Sequence, residues 1–157
     1  DVGQGQVVLV RTAHHAMLYD AGPATDDGYD AGETVVLPAL AALGVDRVDL
    51  MMLSHADADH AGGMNAVIAG MPVAAVQAPP GAPIEVDSHC KLGDHWTWDG
   101  VAFDVVSPLP DSEYDGNPSS CVLRVSSRDH ALLLTGDIDQ ATERALGARA
   151  PRPSSAA

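Results

Sequence analysis

Apolar residues in this chain gather into short runs separated by polar or glycine-rich breaks, a pattern of strands more than of long helices. Val7 to Arg11 is β-branched and apolar, and Ala16 to Tyr19 is a second such run. The polar Thr12 to His15 between them predicts a hairpin. Asp20-Ala21-Gly22-Pro23 ends the second run with turn chemistry, and 24–32 reads as an acidic loop. Glu33 to Leu43 predicts a helix stopped by Gly44, its regular part starting close to Pro38, where a missing N–H costs little. Asp49 to Leu53 is nearly all apolar and closes on Ser54-His55, which predicts a buried, central strand.

Beyond that strand, Ala56 to Gly63 reads as a loop, Met64 to Ala69 as a short helix and Val73 to Gln77 as a strand, before Pro79 to Pro83 breaks the chain. Trp96 to Trp98 and Val101 to Val106 flank Asp99-Gly100, the strongest short hairpin signal in the sequence. Val122 to Val125 and Ala131 to Leu134 predict a further strand pair around Ser127 to His130, and Gln140 to Leu146 a helix. Strands outnumber helices, and helices follow strands at two places, so the expected class is a layered, mixed α/β domain over 1–147. Residues 148–157 have the composition of a disordered tail or linker.

Composition narrows the function. The 157 residues suit one domain, and 46% apolar residues can build a core. No apolar run approaches the ~18 residues that cross a bilayer. The first residues, from Asp1, carry no basic and apolar leader, and without an initiating Met they read as cut from something longer. Acidic side chains number 22 against 8 basic ones, a net charge of −14, which argues against a general basic surface for nucleic acid. It leaves room for bound cations, which reverse the field around clustered carboxylates.

The chemistry concentrates in Ser54-His55-Ala56-Asp57-Ala58-Asp59-His60-Ala61-Gly62-Gly63, with four potential metal ligands in six residues directly after a buried strand. A strand end is a rigid platform, and Gly62-Gly63 suits a tight turn that folds the side chains back on one point. Mixed imidazole and carboxylate ligands suit divalent zinc, manganese or iron. Any one of these residues alone reads as a turn former or a solvated side chain; the spacing of all four carries the signal.

That spacing, His-x-Asp-x-Asp-His-x-Gly-Gly, resembles the metal-binding loop of the metallo-β-lactamase superfamily, in the variant found in ComEC-type DNA-internalisation competence proteins. Asp1-Val2-Gly3-Gln4-Gly5, Leu18 to Pro23, Trp98 to Val101, Ser120 to Arg124 and Leu132 to Asp137 resemble further segments of that family. The resemblance implies an αββα four-layer sandwich whose second half is incomplete here. It implies one or two divalent ions, zinc or manganese, with His55, Asp57, Asp59, His60 and Asp137 as the metal residues and Asp57 and Asp59 as the catalytic ones. Asp57 stands where the wider superfamily has a His. The next superfamily His, expected before Val122, is absent from Asn117-Pro118-Ser119-Ser120-Cys121, and the chain ends before the last. A partial site of Asp59, His60 and Asp137 is expected, with a weaker contribution from His55 and Asp57. Asp1, Gln4 and Asp20 are candidates to orient a ligand or a water.

The function implied is that of a metal-dependent, nuclease-like hydrolase that degrades the non-transported strand during natural transformation. The partner would be DNA, in single-stranded form, reached through a parent protein of the bacterial inner membrane, with this domain on the periplasmic side. The alternative is a catalytically silent domain that guides or gates DNA at a membrane channel; a small-molecule hydrolase of the same superfamily is a third reading.

Cys90 and Cys121 are the two cysteines. In an oxidising periplasm they would pair between neighbouring strands; two reduced buried thiols are the alternative, and a His/Cys zinc site at Asp87-Ser88-His89-Cys90 is conceivable. Trp96 and Trp98 share one face of their strand, as a base-stacking platform or as core packing. His14, His15 and His130 fall in turns and are expected to be solvated, and no role follows for His89 or His95. An incomplete sandwich would leave apolar sheet exposed and prone to association.

Overall fold

Two apolar runs without polar interruption lie side by side at the centre of the molecule. They are β2 (Ala16–Tyr19) and β3 (Leu50–Met52), all of whose residues are buried. The structure is a computed structural model that describes residues 1–149. The two strands are parallel, with Met17 opposite Leu50 and Tyr19 opposite Met52. β1 (Val8–Arg11) pairs antiparallel on one side, while β4 (Val76–Ala78) and β5 (Ser88–His89) extend the sheet in parallel on the other. A second, antiparallel sheet follows in sequence order: β6 (His95–Trp98), β7 (Val101–Ser107), β8 (Val122–Ser126) and β9 (Ala131–Leu134).

The alternation of side chains along β2 and β3 explains why both strands read as unbroken apolar runs: each face meets a different layer. Leu18 and Met51 face helices and pack with Val36, Leu40, Met64 and Val67. Met17, Tyr19, Leu50 and Met52 face the second sheet and pack with Phe103, Val105, Leu123, Val125 and Leu134. Helix layer, five-stranded sheet and four-stranded sheet are thus successive layers of the expected mixed α/β sandwich. The buried Tyr19 hydroxyl ties the sheets together, donating to the carbonyl of Cys121 at 2.6 Å and lying 3.3 Å from that of Leu134. Cys90 and Cys121 are joined by a disulfide, Cα to Cα 6.0 Å, inside the same core. Of the alternatives open for the two cysteines, the structure holds the cross-link.

Several elements differ from the sequence reading. The regular part of the helix before β3, α1 (Leu37–Ala42), starts next to Pro38 as expected, but the stretch ahead of it is a π turn over Gly32–Val36 that runs directly into α1. Leu37 N–H bonds back to the Gly32 carbonyl, and Pro38 falls in the first turn of α1, where its missing N–H is tolerated. The expected loop over 56–63 contains a one-turn helix, α2 (Ala58–Ala61), leading into α3 (Met64–Gly70). Four residues carry no readable period. This turn is held from outside, its Ala58, Asp59 and His60 carbonyls accepting from the amides of Ala24, Gln6 and Ala21. The strand expected at Val73 starts at Val76, with Val73 making only an isolated bridge to Val48. β5 went unread because both its residues are polar and exposed; its place is set by Asp87, which accepts from Val76 N at 2.8 Å.

Trp96 and Trp98 pack on the inner sheet face: Trp96 stacks on Phe103 with ring centres 5.1 Å apart, and Trp98 meets it edge-on. They are core packing. His14, its side chain 80% exposed, and the exposed His130 are solvent-facing as expected. The turn is also docked: His15 stacks on Trp98 at 4.8 Å, and both His14 and His15 contact Asp99 of the β6–β7 hairpin. Leu132 and Leu133 of β9 are half exposed. α4 (Gln140–Arg149) follows β9 and continues past the expected end at Leu146, so residues 148 and 149 are helical; the remainder of the expected tail, 150–157, lies outside the described residues. No helix among the described residues is long and apolar enough to cross a membrane.

Candidate metal centre

β2 and β3 run parallel, so their C-terminal ends open at the same edge, and there the polar residues converge. Asp20 follows β2 with φ +61°, a left-handed conformation that Asp tolerates better than most residues at a cost of about 1–3 kcal/mol. Its fully buried carboxylate accepts from the Ser54 amide at 2.6 Å, the Ser54 hydroxyl at 2.9 Å and His60 Nδ1 at 2.8 Å. Burial pushes its pKa up, and the hydrogen bonds from His60 and Ser54 offset only part of that rise.

The proton inventory of this network orients both imidazoles. Asp20, when ionised, only accepts, so His60 presents Nδ1–H to it and keeps Nε2 outward. The Ser54 hydroxyl spends its proton on Asp20 and is left to accept from His55 Nδ1–H at 2.9 Å. His55 therefore also turns its Nε2 lone pair toward the strand ends. That atom is buried and has no hydrogen-bond partner. The rings lie 4.3 Å apart, tilted by 47°. Burial opposes the charge on His60, but Asp20, Asp137 and Asp59 outweigh it and its pKa is raised. His55 is pushed down by burial and by His60.

Carboxylates face the two Nε2 atoms. Asp57 Oδ2 lies 3.5 Å from His55 Nε2, and Asp137 and Asp59 lie 3.4 and 3.9 Å from His60 Nε2. Asp57 holds the N-cap position of α2, yet its side chain caps nothing. Asp137 arrives from the end of β9 through Gly136, at φ +55°, where a Cβ would press on Ser54 and Ser120. Two groups of side chains can each gather ligand atoms within 4.8 Å of one another: His55, His60 and Asp137, and His55, Asp57 and Asp59. His55, expected to contribute weakly, belongs to both.

The structure assigns other residues differently from the sequence reading. Asp1 closes a local turn, its Oδ1 accepting from Gly3 N, and Gln4 is exposed. The N-terminal segment reaches the site by backbone instead: Gln6 N donates to the Asp59 carbonyl at 3.2 Å, and a Cβ on Gly5 would collide with that same carbonyl. Gly62 and Gly63 adopt ordinary right-handed helical angles, so no tight turn needs them. They are small because backbone crosses there: a Cβ on Gly62 would strike Ala24 N, and one on Gly63 the Ala21 carbonyl. Two contributors went unread, Ser54 and Tyr114, whose hydroxyl accepts from Ala56 N at 2.9 Å. A hydroxyl beside a ligand-rich motif was a signal for Ser54. Tyr114 lies 58 residues from its partner, and nothing local announces it.

A profile of the Metallo-beta-lactamase superfamily matches residues 1–157. The chain belongs to the metallo-beta-lactamase superfamily. Among curated proteins, this superfamily domain is 42% identical over 146 residues to Competence protein ComA of Neisseria gonorrhoeae, covering 93% of the chain and 20% of that protein. It is 32% identical over 146 residues to Recombination protein 2 of Haemophilus influenzae, covering 92% of the chain and 18% of that protein. The chain thus spans about a fifth of the length of these relatives. Among solved structures it superposes on a Cronobacter sakazakii metallo-beta-lactamase mutant with a TM-score of 0.62 and 23% identity, over 81% of this chain and 54% of that one. That likeness concerns the fold.

The residues fit a divalent cation on grounds internal to this domain. An isolated buried imidazole nitrogen without a partner is costly, and His55 Nε2 is such an atom, oriented by Ser54 and faced by carboxylates.

Proposed function

We propose that this chain is the metal-dependent, phosphodiester-hydrolysing domain of a ComEC-type DNA-uptake protein. The observation that carries the reading is the partnerless His55 Nε2 at the meeting point of His60, Asp57, Asp59 and Asp137. The likeness to Competence protein ComA supports DNA as the substrate class. The Cys90–Cys121 cross-link supports an oxidising, periplasmic setting, with the parent protein in the inner membrane.

His55 and His60 would hold the cation through Nε2, with Asp137, Asp57 and Asp59 supplying oxygen. A bound zinc or manganese ion supplies Lewis acidity, making water a nucleophile near neutral pH and attracting the substrate phosphate. Positive charge at this point matters in a chain of net charge −14 that offers few bases to a phosphate backbone. Asp20 and Ser54 keep the two Nδ1–H groups engaged, so neither ring rotates its lone pair away. Asp57 and Asp59, at 55% and 37% side-chain exposure, are open to solvent, and the one left free of the cation would accept the proton of the attacking water.

The test is metal content by elemental analysis together with hydrolysis of end-labelled single-stranded DNA, on this chain and on its full gene product, with and without Asp59→Ala. The expected outcome is bound metal and a loss of hydrolysis of about 100-fold or more in the variant, the scale of a lost proton-transfer group. Hydrolysis unchanged by Asp59→Ala overturns the assignment of that residue. Bound metal without hydrolysis in either form favours the domain that guides or gates DNA.

A further inference from the structure

His55 sits on a segment that has just left the sheet, so the peptide groups on either side of it have lost their ladder partners and must find others. Both find them in one loop. The Ser54 carbonyl, before His55, accepts from Cys121 N at 2.8 Å. The Ala56 amide, after His55, donates to the Tyr114 hydroxyl at 2.9 Å. The loop that joins β7 to β8 therefore grips the backbone of this imidazole from both sides.

The loop is itself fixed. Cys121 is cross-linked to Cys90. Asp115 N, next to Tyr114, donates to Ser119 Oγ at 2.8 Å, and Ser119 N donates to the Gly116 carbonyl at 3.0 Å. Tyr114 lies against the turn at Gly81, where φ is +77° and a Cβ would come within 3.1 Å of Tyr114 Cβ. Tyr114 is half-buried, with its Cβ end close to Gly81, and its hydroxyl reaches across to the Ala56 amide.

We propose that Tyr114 is a positioning residue of the metal centre: by accepting from the Ala56 amide it fixes the joint between His55 and Asp57, the two ligand-bearing residues on either side of Ala56. It acts through them and does not itself bind the cation. The inference rests on the reading that His55 and Asp57 hold a divalent ion.

Tyr114→Phe keeps the ring and removes only the acceptor. Manganese affinity is measured by calorimetric titration of the 157-residue wild-type and variant chains, alongside hydrogen exchange of the Ala56 amide without metal. The expected result is binding weakened about tenfold or more, the scale found when a group supporting a metal ligand is removed, with faster Ala56 exchange. A variant that binds manganese as the wild type does, whatever its thermal stability, overturns the proposal while leaving the metal reading intact. A wild-type chain that takes up no manganese overturns both.

Discussion

The two ends of β2 carry matching sets of side chains in opposite surroundings. At one end Asp20 gathers the hydroxyl of Ser54 and the ring of His60, with His55 attached through Ser54. At the other, Asp99 accepts from the Thr12 hydroxyl at 2.6 Å and the His14 amide at 2.8 Å, and faces the rings of His14 and His15 at 2.8 and 3.2 Å. Both aspartates have positive φ, and they are the only residues besides glycine to do so among the described residues. The difference is water. The His14 and His15 side chains are 80% and 35% exposed, those of His55 and His60 0% and 3%. Where water reaches, one carboxylate docks two hairpins and each ring's far nitrogen can be solvated. Where water is excluded, the same chemistry leaves His55 Nε2 without a partner, and such an atom calls for a ligand. An acid and two histidines therefore make a solvated staple or a buried cluster with an unpartnered nitrogen according to burial.

The strongest challenge to this comparison is removal of each carboxylate. Asp20→Ala leaves the Ser54 amide, the Ser54 hydroxyl and His60 Nδ1 facing a buried void. We expect a loss of about 3–5 kcal/mol in denaturant unfolding with chelator present, the scale of breaking a buried charged network. Asp99→Ala exposes its former partners to solvent, which can take over their hydrogen bonds, so its effect should be distinctly smaller. Equal losses at the two ends would break the comparison.

How far the sequence reveals these two ends follows from the range of the forces involved. β2 and β3 are legible because burial on both faces writes an unbroken apolar run, and Asp99-Gly100 because a tight hairpin needs positive φ at both positions. The His55 to His60 cluster is legible because its ligands are neighbours in sequence. Asp20 is visible only as a candidate, without its partners Ser54 and His60, and Tyr114 is not visible at all, since each acts through a contact 34 or more residues away. α2 and β5 are too short to carry a period, and are held by partners elsewhere in the chain. Gly62-Gly63 is visible as a pair, but its reason, the crossing backbones of Ala21 and Ala24, belongs to the assembled fold.

A second challenge separates staple from centre directly. Asp99→Ala should leave manganese affinity within about twofold of the wild type, because groups at opposite ends of a strand with no shared partner act independently. A larger loss, read by the same calorimetric titration used for Tyr114→Phe, would mean that docking the hairpins helps to hold the metal centre.

The smallest expected effect is also the one that distinguishes the two aspartates by sign. Hydrogen bonds from Thr12 and then from His14 hold the Asp99 carboxyl well below the usual carboxylate range. Its folded pKa lies under its unfolded value near 3.8, so its contribution to stability is present above that pH and is lost as pH falls below it. Asp20 runs the other way: burial raises its folded pKa above 3.8, so its share is present below that value and is lost as pH rises through the raised one. Asp99→Asn keeps the shape and removes the titration. The stability gap between wild type and Asp99→Asn, measured by denaturant unfolding without metal, should hold steady from pH 6 down to about pH 5 and then narrow through the acid range. A gap that widens on acidification would mean that this carboxylate is strained by its neighbours, and the exposed cluster would no longer stand as the simple staple against which the buried one is compared.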